Sequence, residues 1–137
     1  MDWIEYWTEL DRKARLLKPP LPLDSIKDKN WVGYCGSDRH ASVVGNTLAS
    51  WIRVNVVLQT DEASRIYERL IRHRVEIETD VGEGLVWEPP GGRQRAKIYV
   101  QLSGASPSDR SDRPRQVEWF LRHMPAFARI VERATKA

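Results

Sequence analysis

One cysteine, Cys35, occurs in the 137 residues. That excludes a disulfide within the chain and any zinc site built on cysteines, and it fits a reducing, cytoplasmic setting. No run approaches the ~18 consecutive apolar residues of a membrane-spanning helix. The opening residues, Met1-Asp2-Trp3-Ile4-Glu5, carry acids where a secretory leader carries bases, and no apolar segment follows. A cytoplasmic chain with no membrane association is therefore expected. Internal repeats and low-complexity tracts are missing as well. Charge of one sign is scarce too: 22 Lys and Arg against 19 Asp and Glu leave a net charge of +3. So small an excess permits an anionic partner without demanding one.

Catalytic constellations are equally scarce. Metal-dependent nucleases of the restriction type need carboxylates for a divalent ion and a lysine two residues after one of them, on a strand. Acid-x-Lys occurs once, as Asp11-Arg12-Lys13, inside a helical pattern where surface charges are ordinary. His40, His73 and His123 show no metal-ligand spacing with one another or with Cys35. Cys35 lies near His40 but has no nucleophile elbow and no partner acid. Pro89-Pro90-Gly91-Gly92 is followed by neither Lys-Ser/Thr nor a helix, so it is no phosphate loop. No catalytic residue, metal site or cofactor is expected.

What is present reads as one globular domain over residues 1–137. Hydrophobic residues make up 41% and charged residues 30%, and the length suffices for a real core. Trp3, Trp7, Leu10, Ala14 and Leu17 recur at helical spacing and predict a helix from Asp2 to Leu17, ended by the prolines at 19, 20 and 22. Trp31–Tyr34 and Ala41–Val44 read as short strands around a turn at 36–39. Ser50–Gln59 alternates, with Ile52, Val54, Val56 and Leu58 on one face.

After Thr60 and Asp61, the stripe Ala63, Ile66, Tyr67, Leu70, Ile77 and Val81 predicts one helix, stopped by Gly82 and Gly84. Leu85–Glu88 and Arg95–Leu102 form a strand pair across the prolines and glycines of 89–92, and Ser103–Asp112 reads as a mobile polar loop. A last helix begins at Pro114, and Pro125 should kink or split it. The expected fold is α+β, in the order α-β-β-β-α-β-β-α, with an antiparallel sheet of about five strands packed on helices.

This order carries a resemblance. The strand Ile52-Arg-Val-Asn-Val-Val-Leu58, the helix Ala63–Glu78 ending in Ile-Glu-Thr-Asp-Val-Gly82, Gly84-Leu-Val-Trp-Glu88, Arg95-Ala-Lys-Ile-Tyr99 and Glu118-Trp-Phe120 succeed one another as in the prokaryotic domain of unknown function 4268. The chain resembles that family over essentially its whole length. The family brings no activity with it. Its members often stand last in longer proteins behind a nuclease-like part, so the resemblance implies an accessory domain. A partner protein carrying the nuclease part is one expectation.

The face opposite the core is where a function is expected. Trp51, Arg53 and Asn55 on one strand, and Arg95, Lys97, Tyr99 and Gln101 on another, share a face if the strands join one sheet. Arg93 adds to them, and no acid occurs between Pro89 and Ser108. Arginine and lysine attract phosphate, while tryptophan and tyrosine offer stacking surfaces to unpaired bases. The plain alternative is a solvated face covered by long side chains. A third reading is a protein interface or homodimer anchored by Trp, Tyr and Arg.

Overall fold

In a computed structural model, which describes residues 1–34, 38–91 and 95–136, the alternation seen in the sequence sorts the sheet into two unlike faces. The elements are helix α1 (Trp3–Ala14) and strands β1 (Leu23–Asp24), β2 (Trp31–Tyr34), β3 (Ala41–Leu48) and β4 (Trp51–Leu58). Helices α2 (Ala63–Ile71) and α3 (Arg74–Val81), strands β5 (Val86–Glu88) and β6 (Ala96–Ser103), and helix α4 (Arg113–Thr135) follow. The fold is α+β. The sheet is antiparallel throughout, in the order β1-β2-β3-β4-β6-β5. It has six strands where about five were expected. The extra one is the two-residue β1, too short to leave an alternation signal, which pairs Leu23 and Asp24 with Tyr34 and Gly33.

Ile52, Val54, Val56 and Leu58 of β4, and Ala96, Ile98 and Val100 of β6, are buried together under the helices. α4 packs on β3 and β4, with α1, α2 and α3 against its flanks. All helices thus cover one face, because only that face of the central strands is continuously apolar.

Three expectations about the elements need correction. α4 is one helix through Pro125 and is not split there. An internal proline costs about 3 kcal/mol. Phe120, Met124, Phe127, Ile130 and Val131 are buried on both sides of it, and each such side chain returns roughly 1.5–3 kcal/mol. Conversely, the region after Thr60 forms two helices rather than one. Stripe positions three and four beyond Leu70 hold His73 and Arg74, so burial does not carry the helix across that point; Ile77 resumes it in α3. The segment 103–112, expected only as a polar loop, is tied to the domain by burial and hydrogen bonds. Ala105 and Pro107 are buried, the Gly104 amide donates to the Ser50 carbonyl, and Gln116 Nε2 donates to the Ser106 carbonyl. The turn expected at 36–39 lies partly outside the described residues.

The first turn of α4 joins α1 through a buried polar relay. Tyr6 Oη donates to Gln116 Oε1 at 2.6 Å, and Gln116 Nε2 also donates to Asp112 Oδ2 at 3.0 Å. Hydrogen bonds from Arg115 first, then Gln116, hold the Asp112 carboxyl at about 2, below its ordinary 3.8. A carboxyl pKa depressed by folding adds stability that is present above its ordinary value and is lost as pH falls through the folded one. The melting-temperature gap between the native protein and Asp112→Asn should therefore be widest near neutrality and close as pH drops from about 4 towards about 2. A gap independent of pH over that window would show that this carboxylate is not what titrates.

Candidate functional site: the open sheet face

Cross-strand register places the expected residues side by side. β4 and β6 pair Arg53 with Gln101, Asn55 with Tyr99 and Val57 with Lys97. β3 adds Asn46 opposite Arg53 and Val44 opposite Asn55, and β2 adds Trp31 opposite Asn46. These residues share the face that no helix covers.

The face divides into two parts. In the first, the Arg53 guanidinium lies 4.1 Å from the ring centres of both Trp51 and Tyr99, and its Nε donates to Gln101 Oε1 at 2.7 Å. Gln101 in turn donates to Ser103 Oγ. Each cation–π contact contributes about 0.5–2 kcal/mol. This corrects one expectation: Tyr99 is only 9% exposed, and the arginine already lies over both rings, so neither is a free stacking platform.

The second part is a concavity of about 560 Å³ beside that cluster. Asn55, Arg95 and Lys97 line it, joined by residues the sequence did not single out for a site: Trp31, Gly33, Asn46 and Gln59 among them. Asn55 is 4% exposed, against the solvated position expected. Its Nδ2 donates to the Val44 carbonyl at 3.0 Å and to Asn46 Oδ1 at 2.8 Å. A signal for Asn46 was available, since β3 continues the alternation through Gly45-Asn46-Thr47-Leu48, but Gly45 masked the strand. Gly45 is needed because Tyr34 Oη stands 2.7 Å from where its Cβ would be.

Charge on this face is one-sided without being exclusive. Among the described residues, Arg53, Arg95 and Lys97 make no ion pair, whereas Arg12, Arg15, Arg65, Arg74, Arg110, Arg115 and Arg129 elsewhere all do. Two acids share the face: Glu88, opposite Lys97, and Asp24, at the β1 edge of the concavity. Arg93 lies outside the described residues.

The other polar groups weighed from the sequence have structural partners. Asp11 Oδ1 accepts the Leu23 amide and Oδ2 pairs with Arg15, so Asp11 anchors β1 to α1. His40 Nδ1 meets Thr60 Oγ1, and buried His123 meets the Trp119 carbonyl and Glu83. His73 stands 3.6 Å from Glu76. Among the described residues, no three or more His, Cys, Asp or Glu side chains gather as metal ligands would. Cys35 lies outside the described residues. No described helix is long and apolar enough to cross a membrane.

Fold and face together define an α+β domain with a helical layer on one side of an antiparallel sheet and a polar concavity on the other. Residues 4–135 match the family described as a domain of unknown function (DUF4268), and the chain belongs to that family. No curated protein and no solved structure matches it.

Proposed function

We infer that the open sheet face binds nucleic acid, and that the chain is a non-catalytic accessory module, associated with a partner protein carrying a nuclease of the restriction or defence type. The observation that supports this reading is the set Arg53, Arg95 and Lys97: cations on one uncovered face that make no ion pair among the described residues, in a chain whose arginines are otherwise mostly paired. A surface cation that no carboxylate holds in an ion pair keeps much of its attraction for phosphate, although Glu88 opposite Lys97 and Asp24 at the rim reduce it.

Fluorescence anisotropy with labelled oligonucleotides at ~50 and ~200 mM salt tests it, since each phosphate contact adds close to one unit to the slope of log K against log salt. Binding should weaken steeply with salt, and Arg95→Ala with Lys97→Ala should flatten that slope by about 1.4 units for a single strand or about 1.8 for a duplex. No binding at the lower salt refutes the reading.

A protein-interaction or homodimerisation module is the second reading, favoured by Trp31, Leu48 and Val86. These exposed large apolar residues lie on the same face at its two sides. Light scattering that shows a dimer independent of concentration, lost in Leu48→Glu, would support that reading instead.

A further inference from the structure

The geometry points to the concavity between Trp31 and Lys97 as a subsite for an unpaired nucleobase, which makes the ligand of this face single-stranded nucleic acid; this rests on the reading above.

The amide pair in its wall carries the inference. The Val44 carbonyl can only accept, so the Asn55 atom that faces it is the amide nitrogen. Both Asn55 N–H groups are then used, one on Val44 and one on Asn46 Oδ1. This leaves Asn55 Oδ1 as an acceptor and Asn46 Nδ2 as a donor, neither with a partner among the described residues. Asn55 is almost wholly buried, yet it lines the concavity. An acceptor and a donor on two linked side chains, Asn55 held by a backbone carbonyl and Asn46 held by Asn55, complement the mixed donor–acceptor edge that every nucleobase exposes when unpaired.

The flanks offer an aromatic side and a cationic side to a strand of several nucleotides. Trp31 is 44% exposed and stands opposite Asn46, with Lys27 Nζ 5.7 Å from its ring centre. Among the described aromatic residues on this face it is the one that Arg53 does not cover, and Lys27 lies more distantly over one side of its ring. Lys97 lies on the other side, three strand spacings across and four residues along the strands, or about 20 Å from Trp31, with Arg95 beyond it. Asp24 lies beside Gly33, on the Trp31 side. Its carboxylate disfavours phosphate there, and Glu88 does so on the far side of Lys97, which leaves the inner side of Lys97 and Arg95 for the backbone of a bound strand. Bases within a duplex are stacked and paired, and cannot enter a recess below a sheet surface; an unpaired base can.

The wild-type protein should bind a single-stranded oligonucleotide at least about tenfold more tightly than the duplex of the same sequence at equal salt. Trp31→Ala should weaken single-strand binding about 5- to 150-fold, the range for loss of one stacked base, and leave duplex binding unchanged. Trp31 is exposed, so its melting temperature should stay within a few degrees of the parent. Duplex bound as tightly as single strand, with both abolished by Arg95→Ala plus Lys97→Ala, would overturn the base subsite and leave the phosphate-binding face standing. No binding of either form would overturn both. The single-strand preference of the unmodified protein decides the matter even if a variant fails to fold.

Discussion

Trp7→Ala should lower the stability of this domain by about 3–5 kcal/mol, the range for truncating a large buried aromatic ring. Trp7 is fully buried on the inner side of α1. Its ring meets Tyr6 edge-on at 4.9 Å and Phe120 at 5.7 Å, and lies beside Trp3 at 6.3 Å. Side chains of both α1 and α4 would therefore face the cavity left behind. The indole is also a hydrogen-bond donor, with Nε1 2.8 Å from the Lys29 carbonyl. Its loss leaves that acceptor unpaired and loosens the approach to β2, where Trp31 sits. Domains of this size hold about 5–15 kcal/mol in all, so the variant should be barely folded at 37 °C. Urea unfolding measures it: the midpoint should fall by more than about 1 M at unchanged slope. Trp7→Phe keeps most of the packing and should lose much less. A fall under about 1 kcal/mol for Trp7→Ala would mean the ring is not what joins α1 to α4.

The second large effect separates two glycines of neighbouring strands. Gly45→Ala should destabilise by about 1–3 kcal/mol, because the new Cβ meets Tyr34 Oη at 2.7 Å and Phe120 Cε1 at 3.4 Å. Tyr34 is wholly buried, so its ring cannot swing aside without opening the core. Gly33→Val should behave in the opposite way. A Cβ at Gly33 has nothing within 4 Å, and the residue lines the concavity on the open face. Valine suits a strand, so stability should hold or rise slightly. The added side chain fills part of the concavity, and oligonucleotide binding should drop while the melting temperature does not. Melting curves and anisotropy on both variants check the pair. Equal stability losses would show that the two faces are not as unlike as the register implies.

Much of this architecture was legible before any coordinates. Alternation in β4 and β6 assigned Ile52, Val54, Ile98 and Val100 to the core and Arg53, Lys97 and Gln101 to the other side. Strand pairing bears that out residue by residue. The stripe of α4 was equally plain. What failed did so for identifiable reasons. Proline and glycine are local signals, and burial of neighbours overrides them, as at Pro125 inside α4 and Gly45 inside β3. β1 was too short to show a period. A buried Asn55 was unreadable, because a carboxamide looks solvated in sequence until a specific carbonyl, that of Val44, is placed beside it.

The same division holds for the candidate site. By itself the sequence determined the fold class, the family and which side of the central strands is polar, since these follow from composition and period along a single strand. Tertiary structure alone decided how the polar side is organised. It turned Trp51 and Tyr99 from open rings into the bed of Arg53, and brought Trp31 and Asn46 beside Asn55. The reason is that a site is built from neighbours across strands. Trp31 and Lys97 are far apart in the chain, and only the order β2-β3-β4-β6 places them around one concavity.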